Sequence, residues 1–496
     1  MIRKKVLLIL AVVTAAAMSV SVTACLASNK ASVSSETEVQ TQTEDITTSE
    51  EISNTEDGGH AIEVSGEEAS YSNIKVTKTG DSSSGDEADF YGDNAAVFAT
   101  DGATLTLEDI VVDTDGKHAN AVFSYGSGTT VNISNSVITT SGNCSGGLMT
   151  TGGGTMNATD LNIHTSGNSS AAIRSDRGGG TVNVDGGTYV TDGKGSPVIY
   201  STADITVSNA TLESTTSEDV VVEGKNSVTL NNVSLTADNN AHNSNKSDNY
   251  KAVMIYQSMS GDASVGLATF TMTGGSITNK NGDVFFVNNT SATITLENAE
   301  IINQDTDGVF LRAAAAGWGT EGSNGGKVNL YLKKQAQTGD IVVDKVSALN
   351  LYLSEGTTYT GIINAANEGE VYVEIEKGSK WVLTGDSYIT GLTCEADAVD
   401  LNGHKLYVGG TEYTAGTSST GTAITIATES SGKPDGMPGE PPSGGKPNGE
   451  KPSGDFPGDP PSGERPQGDP PSGDPPSGSP GGNGGEPPAK PSEKTT

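Results

Sequence analysis

The sequence predicts an all-β chain that folds as a single right-handed parallel β-helix with disordered N- and C-terminal segments. An eight-residue phrase of alternating apolar and polar residues, broken in the middle by Asn, Asp or Gly, recurs along the chain, as in residues 228–235 and 294–301. Copies of the phrase return roughly every 25 residues, which is typical of a repeat architecture. A further apolar stretch, such as residues 121–123, accompanies each copy. Three short strands in each repeat therefore stack as coils of a solenoid.

The middle residue of the phrase predicts how the chain turns between two of these strands. Asn, Asp and Gly tolerate the left-handed backbone conformation, which allows a one-residue corner. A hairpin would need a two-residue turn and would reverse the chain, whereas a corner lets the chain continue into the next face. The predicted corner positions are Asn73, Asp109, Asn135, Asp160, Gly186, Asn209, Asn232, Gly274 and Asn298.

Charge and composition limit the classes of partner. The chain has 62 acidic residues against 28 Lys and Arg, which gives a formal net charge of -34. This charge disfavours nucleic acid and anionic membrane surfaces, and it would repel a polyanionic glycan unless a cation bridged the two. The hydrophobic content of 33% is low for a globular core but fits a narrow solenoid with many turns.

The first 24 residues predict a lipoprotein signal peptide. A basic segment at residues 3–5 precedes an apolar run. The VTAC sequence at 22–25 resembles the lipobox of bacterial lipoproteins, and this resemblance implies that Cys25 becomes the lipidated first residue of the mature chain. The alternative is an uncleaved signal anchor, because the apolar run is nearly long enough to span a bilayer. Both interpretations predict an exported protein that is tethered to the membrane at the extracellular face of a bacterial cell.

Composition divides the rest of the chain into three segments. Residues 25–58 are rich in Ser, Thr and Glu and predict a flexible stalk. Residues 59–429 carry the repeats and predict the β-helix, whereas the Pro/Gly-rich residues 430–496 predict a disordered tail. Cys144 and Cys394 lie about ten coils apart, which is too far for a disulfide. Since the sequence shows no Cys/His cluster, it predicts two isolated thiols and no zinc site.

Irregular spacing locates insertions in the coils. The insertions fall near residues 79–94, 238–250, 257–268 and 313–327, and the last of them contains Trp318. The two middle insertions belong to neighbouring coils, so we expect them to lie near each other. Binding sites usually form on loops that a rigid scaffold holds in place, so we expect the functional residues to lie in these insertions.

The predicted architecture resembles pectin-lyase-like β-helices, which include polysaccharide lyases and glycoside hydrolases. Polygalacturonases of this fold carry several short motifs, of which this chain has only a partial match at residues 305–308, with Arg312 following. The same DTDG sequence occurs at residues 113–116, at the equivalent turn of an earlier coil, which indicates a structural turn. His118 follows that turn, and no second catalytic group is expected in register with it. With no complete motif, the sequence favours a non-catalytic protein and leaves an enzyme as the alternative.

A polar patch on the third strand is the candidate site for that alternative. Lyases of this fold use three or four carboxylates to bind calcium and a Lys or Arg as the base, so calcium is the cofactor that a lyase would imply. The expected carboxylate cluster is not visible in register, so the sequence favours an ion-paired turn over a metal site here. Calcium could also bind among the Asp and Asn turns. The patch consists of Arg174, Asp176, Arg177, Tyr200 and Glu223.

Aromatic residues supply the candidate glycan platform. The segment GSKWVLTGDS at 378–387 resembles the C-terminal coils of secreted β-helical adhesins. Before it, Tyr331, Tyr352 and Tyr372 each lie between two inward aliphatic residues, so we expect an outward aromatic strip that could bind sugar rings together with Trp381 or Trp318. The strip could instead stabilise the coils or be covered by the tail. The sequence thus predicts adhesion or carbohydrate binding, with a polysaccharide or a host or cell-wall glycan as the partner.

Overall fold

A computed structural model describes residues 46–258 and 260–426, and over these residues the chain is a parallel β-helix. The fold class predicted from the sequence is therefore confirmed. Three long sheets, here named A, B and C, form the faces, and each strand pairs in parallel with its counterpart one coil earlier and one coil later. In the described part of the chain, no helix is long and apolar enough to cross a membrane.

Sheet A contains ten strands and occupies the face that follows each corner residue. Its strands are β1 (Glu50–Asn54), β4 (Ile74–Lys78), β7 (Val111–Thr114), β10 (Val137–Thr140), β13 (Asn162–Thr165), β16 (Thr188–Thr191), β19 (Thr211–Ser214), β22 (Ser234–Ala237), β25 (Ser276–Asn279) and β28 (Glu300–Asn303).

Sheet B contains eleven strands and is the face beside which the insertions lie. Its strands are β2 (Ile62–Ser65), β5 (Val97–Thr100), β8 (Val122–Tyr125), β11 (Leu148–Thr151), β14 (Ile173–Ser175), β17 (Ile199–Ser201), β20 (Val220–Glu223), β23 (Lys251–Tyr256), β26 (Asp283–Asn288), β29 (Leu311–Ala313) and β32 (Ile341–Val343).

Sheet C contains thirteen strands and occupies the face that precedes the corner residues. Its strands are β3 (Glu68–Ser72), β6 (Thr104–Glu108), β9 (Thr130–Ser134), β12 (Gly154–Thr159), β15 (Gly180–Asp185), β18 (Asp204–Ser208), β21 (Ser227–Asn231), β24 (Leu267–Thr273), β27 (Thr290–Glu297), β30 (Gly326–Lys333), β33 (Ala348–Ser354), β35 (Glu370–Ile375) and β38 (Gly391–Thr393).

Two smaller sheets complete the C-terminal coils, where the corner phrase of the sequence is lost. Sheet D contains β31 (Ala336–Thr338), β34 (Thr358–Thr360), β36 (Lys380–Val382) and β39 (Val399–Asp400). Sheet E contains β37 (Ser387–Ile389), β40 (Leu406–Val408) and β41 (Thr411–Glu412). A short helix, α1 (Asp86–Tyr91), lies in the insertion at 79–94.

The corner residues adopt the predicted conformation. All nine predicted positions have a positive φ, as at Asp109 (52°), Asn232 (55°) and Gly186 (78°). A corner of this kind turns the chain from sheet C into sheet A while the alternating side chains keep one face inward. The inward Val, Ile and Leu side chains form one continuous core along the stacked coils.

The β-helix begins earlier than the sequence indicated. Strand β1 lies within residues 25–58, for which the composition predicts a stalk, and it pairs in register with β4. Only Ile52 of this strand packs against the core, so the alternation was too weak to be recognised. Cys25, the signal peptide and the tail at 430–496 lie outside the described residues.

Sheet B differs from a typical solenoid face because many of its outward positions carry apolar side chains that are buried. Phe98, Phe123 and Met149 occupy one outward column in register, and Met254 and Phe286 continue it further along the sheet. These side chains are at most 4% exposed. An outer layer must therefore cover this face, and the functional candidates lie where that layer meets the sheet.

Candidate functional site

The insertions supply the outer layer of sheet B. Helix α1 is anchored where the Thr151 hydroxyl donates to the Phe90 carbonyl at 2.7 Å. The insertion at 257–268 contacts the same region, since the Arg177 guanidinium bonds Asp262 at 2.7 Å and lies 3.9 Å from the Phe90 ring centre. The insertions at 238–250 and 313–327 meet where the Gly317 amide donates to the Lys246 carbonyl at 2.7 Å.

An open cleft of about 110 Å³ lies between sheet B and the insertion at 238–250. We name it the sheet B cleft. The half-buried Trp318 packs edge-on against Tyr256, with ring centres 5.3 Å apart. The wall across from Trp318 is polar and carries amide, imidazole and hydroxyl groups, of which those of His242, Asn243 and Ser244 are exposed. The sheet and the 313–327 insertion contribute Tyr200, Val221, Met254, Tyr256 and Trp318, and the loop contributes Asn239, His242, Asn243, Ser244 and Ser247.

A buried carboxyl group holds the tyrosines of the cleft in place. Glu223 is 0% exposed and accepts hydrogen bonds from the hydroxyl groups of Tyr200 and Tyr256, the latter at 3.0 Å. Burial raises the pKa of Glu223 above its usual range. Burial, followed by the nearby Glu223 charge, also raises the pKa of both tyrosines well above the ordinary value. Glu223 therefore orients the two rings from beneath and does not itself face the solvent.

Lysine side chains support the loop and the floor of the cleft. The Lys251 ammonium lies 3.5 Å from Glu218, donates to the Asn249 carbonyl at 3.0 Å and lies 5.3 Å from the centre of the Phe286 ring. Lys246 lies 5.7 Å from the centre of the Trp318 ring. These contacts hold the loop against the sheet, so the cleft is formed before any ligand arrives.

The predicted polar patch is divided between two places. Tyr200 and Glu223 belong to the sheet B cleft, whereas Arg174 bonds Asp176 at 2.9 Å and Asp89 at 3.3 Å. Burial raises the pKa of Asp176 to about 6, although Arg174 opposes the shift. Arg177 is paired with Asp262. These arginines are thus engaged in ion pairs, which is the interpretation that the sequence favours for this patch.

A second polar group next to this ion pair was missed by the sequence analysis. Asp89 of α1 lies 3.2 Å from the Nδ1 of His118, and Cys144 completes a group whose potential ligand atoms all lie within 4.8 Å of one another. It is the one group of three or more such side chains within residues 46–258 and 260–426. The expectation that the chain has no Cys/His cluster and that Cys144 is an isolated thiol is therefore wrong.

The repeat itself explains how His118 and Cys144 come together. His118 (φ 56°) and Cys144 (φ 57°) each follow a Gly-x pair and occupy the same turn position in successive coils, linked through the Asn143 carbonyl that accepts from the His118 amide at 3.0 Å. Aligning the turns GKH (116–118) and GNC (142–144) would have revealed the pair. Burial, and then the Asp89 charge, raise the pKa of the Cys144 thiol, which is the opposite of an activated nucleophile.

The tyrosine strip is present only in part. Tyr331 and Tyr352 are half-buried and stack with ring centres 4.7 Å apart and an angle of 9° between the ring planes. Tyr372 is only 3% exposed and pairs in register with Asn350, while Tyr352 pairs with Glu374. The chain at 421–424 covers this end of sheet C, because Asn350 exchanges hydrogen bonds with the backbone of Ile424. Tyr372 is therefore not an exposed platform.

The two tryptophans do not join the tyrosine strip. Trp381 is 0% exposed, and its Nε1 donates to the Gly361 carbonyl at 3.0 Å, so its assignment to a glycan platform is wrong. In strand β36 the middle residue points inward, and the short sequence KWV does not reveal this direction. Trp318 lies beside sheet B, whereas Tyr331 and Tyr352 lie on sheet C.

No known protein-family model matches this chain, and a search of curated proteins gave no match.

Proposed function

We propose that the protein is an exported, membrane-tethered, pectin-lyase-like β-helix protein that binds carbohydrate at the bacterial cell surface without catalysis, with an adhesin-like role. The observation that carries this proposal is the sheet B cleft, where the Trp318 ring faces a loop of amide and hydroxyl side chains. Sugar rings present apolar C–H surfaces to aromatic rings and hydroxyl groups to amides. The tether is supported by the lipobox-like sequence ending at Cys25.

The chemistry of the cleft favours a neutral glycan. Its acidic groups already have partners, because Glu223 accepts from two tyrosines and Glu218 lies 3.5 Å from Lys251. The net charge of -34 opposes the approach of a polyuronate. A neutral polysaccharide of a cell wall or a host surface meets neither obstacle.

The alternative is an enzyme of the pectin-lyase-like fold, either a glycoside hydrolase or a calcium-assisted polysaccharide lyase. The observation that favours a hydrolase is Glu223, whose pKa is raised by burial, as expected of a general acid. Glu218 borders the same cleft and would have to act as the second carboxylate. Because Glu223 is fully buried beneath Tyr200 and Tyr256, we place binding ahead of catalysis.

Truncation of Trp318 tests the proposed site. We expect Trp318→Ala to weaken glycan binding by about thirtyfold, or about 2 kcal/mol, because a central aromatic anchor is lost. A glycan array would identify ligands of the wild-type protein, and calorimetry with one of them would give the affinities. Tyr331→Ala is the matched control, since that ring is exposed to a similar degree on another sheet.

Two outcomes would contradict the proposal. If glycan binding is lost in Tyr331→Ala and kept in Trp318→Ala, the glycan site lies on sheet C and not in the sheet B cleft. Release of reducing ends or of unsaturated sugars from the bound glycan would establish catalysis, and its loss in Glu223→Gln would assign the reaction to this cleft.

A further inference from the structure

Three potential metal ligands meet where helix α1 crosses the turns beside sheet B. Asp89 and His118 are each 2% exposed, and Cys144 is half-buried. Their ligand atoms lie within 4.8 Å of one another, and the Asp89 Oδ1 lies 3.2 Å from the His118 Nδ1. A side chain from the first insertion thus meets two residues from successive coils, and none of the three lines the sheet B cleft.

The scaffold holds the two turns at a fixed separation. A Cβ atom at Gly116 would lie 2.1 Å from the Gly80 carbonyl oxygen, and one at Gly142 would lie 2.1 Å from the Gly116 oxygen. The turns can therefore stack this closely only with glycine at those positions. His118 and Cys144 each lie two residues after one of these glycines, and both have a positive φ of nearly the same value. The stacked turns thus hold the two side chains at equivalent positions of successive coils.

We propose that Asp89, His118 and Cys144 form a binding site for a borderline divalent transition metal of the zinc class, with one coordination position open to water. Sulfur and imidazole nitrogen are ligands that zinc prefers, whereas calcium selects oxygen. Ligand bonds of about 2.0–2.1 Å in a tetrahedral arrangement place nitrogen and oxygen about 3.3 Å apart. The observed separation of 3.2 Å matches this distance.

Neighbouring groups orient the ligands and balance the charge. The Asn120 amide donates to the Asp89 Oδ1 at 3.1 Å, and Arg174 binds the other oxygen at 3.3 Å, so the carboxylate is fixed from both sides. Arg174 also binds Asp176. The two carboxylates and a Cys144 thiolate carry three negative charges, which a divalent cation and the guanidinium neutralise together. A bound metal would join α1 to two coils and stabilise this part of the outer layer.

Cobalt binding tests this site because a thiolate ligand gives cobalt(II) an intense near-ultraviolet charge-transfer band. The full-length chain, dialysed against a chelator, would be titrated with CoCl₂ beside the variants Cys144→Ser, Cys394→Ser and Cys25→Ser. We expect the band in the wild-type chain and in the last two variants, and its loss in Cys144→Ser with an affinity at least about tenfold weaker. Serine occupies the same turn position at Ser169 of the next coil, so Cys144→Ser is compatible with the fold.

A stability measurement gives a second readout that does not depend on the thiolate spectrum. Zn²⁺ should raise the thermal midpoint of the wild-type chain and of Cys394→Ser, and it should not raise that of His118→Ala. The proposal is overturned if millimolar cobalt gives no thiolate band, if the band persists in Cys144→Ser, or if Zn²⁺ raises the midpoint of His118→Ala as much as that of the wild type.

Discussion

Replacing Trp381 with alanine is expected to lower the free energy of unfolding by about 3–5 kcal/mol, because the change leaves a large cavity in the core. The indole is 0% exposed and packs near Tyr359, with ring centres 6.5 Å apart. The substitution also leaves the Gly361 carbonyl without the indole donor. Chemical denaturation followed by circular dichroism would measure the loss.

Trp318→Ala is the matched control for this prediction, since it removes the same side chain from a half-buried surface position. We expect it to change the unfolding free energy by much less than Trp381→Ala. Equal losses of unfolding free energy in the two variants would contradict the burial of Trp381. A stable Trp381→Ala variant that no longer binds glycan would contradict it as well.

Replacing Asp219 with valine is expected to stabilise the protein by about 1–3 kcal/mol at neutral pH. Asp219 is 0% exposed, and neither of its carboxylate oxygens has a hydrogen-bond partner of good geometry. It occupies an inward corner at which the preceding coil has Val198 and the following coil has Ala252. An aliphatic side chain therefore suits this position, and the thermal midpoint of Asp219→Val should rise by several degrees.

The gain should depend on pH in a defined direction. Burial raises the pKa of Asp219 well above the ordinary value, while the backbone of Ser214 opposes the shift. The folded chain thus retains a proton that the unfolded chain releases above about pH 4, so wild-type stability falls as the pH rises from there toward the folded-state pKa. Asp219→Val removes this loss, and its advantage should be smallest below about pH 4.

The variant Asp219→Asn separates titration from burial. Its amide is nearly isosteric and does not titrate in this range, but it remains a buried polar group. We expect it to flatten the pH dependence without the full gain of valine. Thermal midpoints of the three proteins between pH 4 and 8 would check this, and parallel curves for wild type and Asp219→Asn would refute it.

The fold was predictable because the repeat encodes it twice, in the alternation of the strands and in the corner residues. The direction of a side chain was harder to infer where a strand is very short. Trp381 lies in a strand of three residues, which is too short to show the alternation that sets the inward phase. Tyr372 lies under the distant segment at 421–424, which bonds its neighbours Asn350 and Thr393. The alternation of strand β1 is weak because its one apolar residue, Ile52, is only half-buried against the core.

The candidate site was predictable in location and not in composition. Interrupted spacing identified the insertions, and the structure brings them to one face. Their partners could not be inferred, since the pairs Arg174–Asp89 and Arg177–Asp262 each join residues 85 positions apart that belong to different coils. The proximity of His118 and Cys144 could be predicted from the sequence, because the two residues occupy the same position in the turns of successive repeats.

The C-terminal end of the β-helix has a consequence for polymerisation. Strand β41 runs antiparallel to β40, whereas the other strand pairs within the described residues are parallel. Beside it, the backbones of Cys394 and Ser419 form an isolated antiparallel β-bridge. The Gly421 amide donates to the Thr393 hydroxyl at the edge of sheet C. Parallel solenoids with two open ends can add to one another head to tail. The reversed strand and the covered edge of sheet C prevent the N-terminal coil of a second molecule from pairing in parallel with this end. They therefore oppose the growth of filaments.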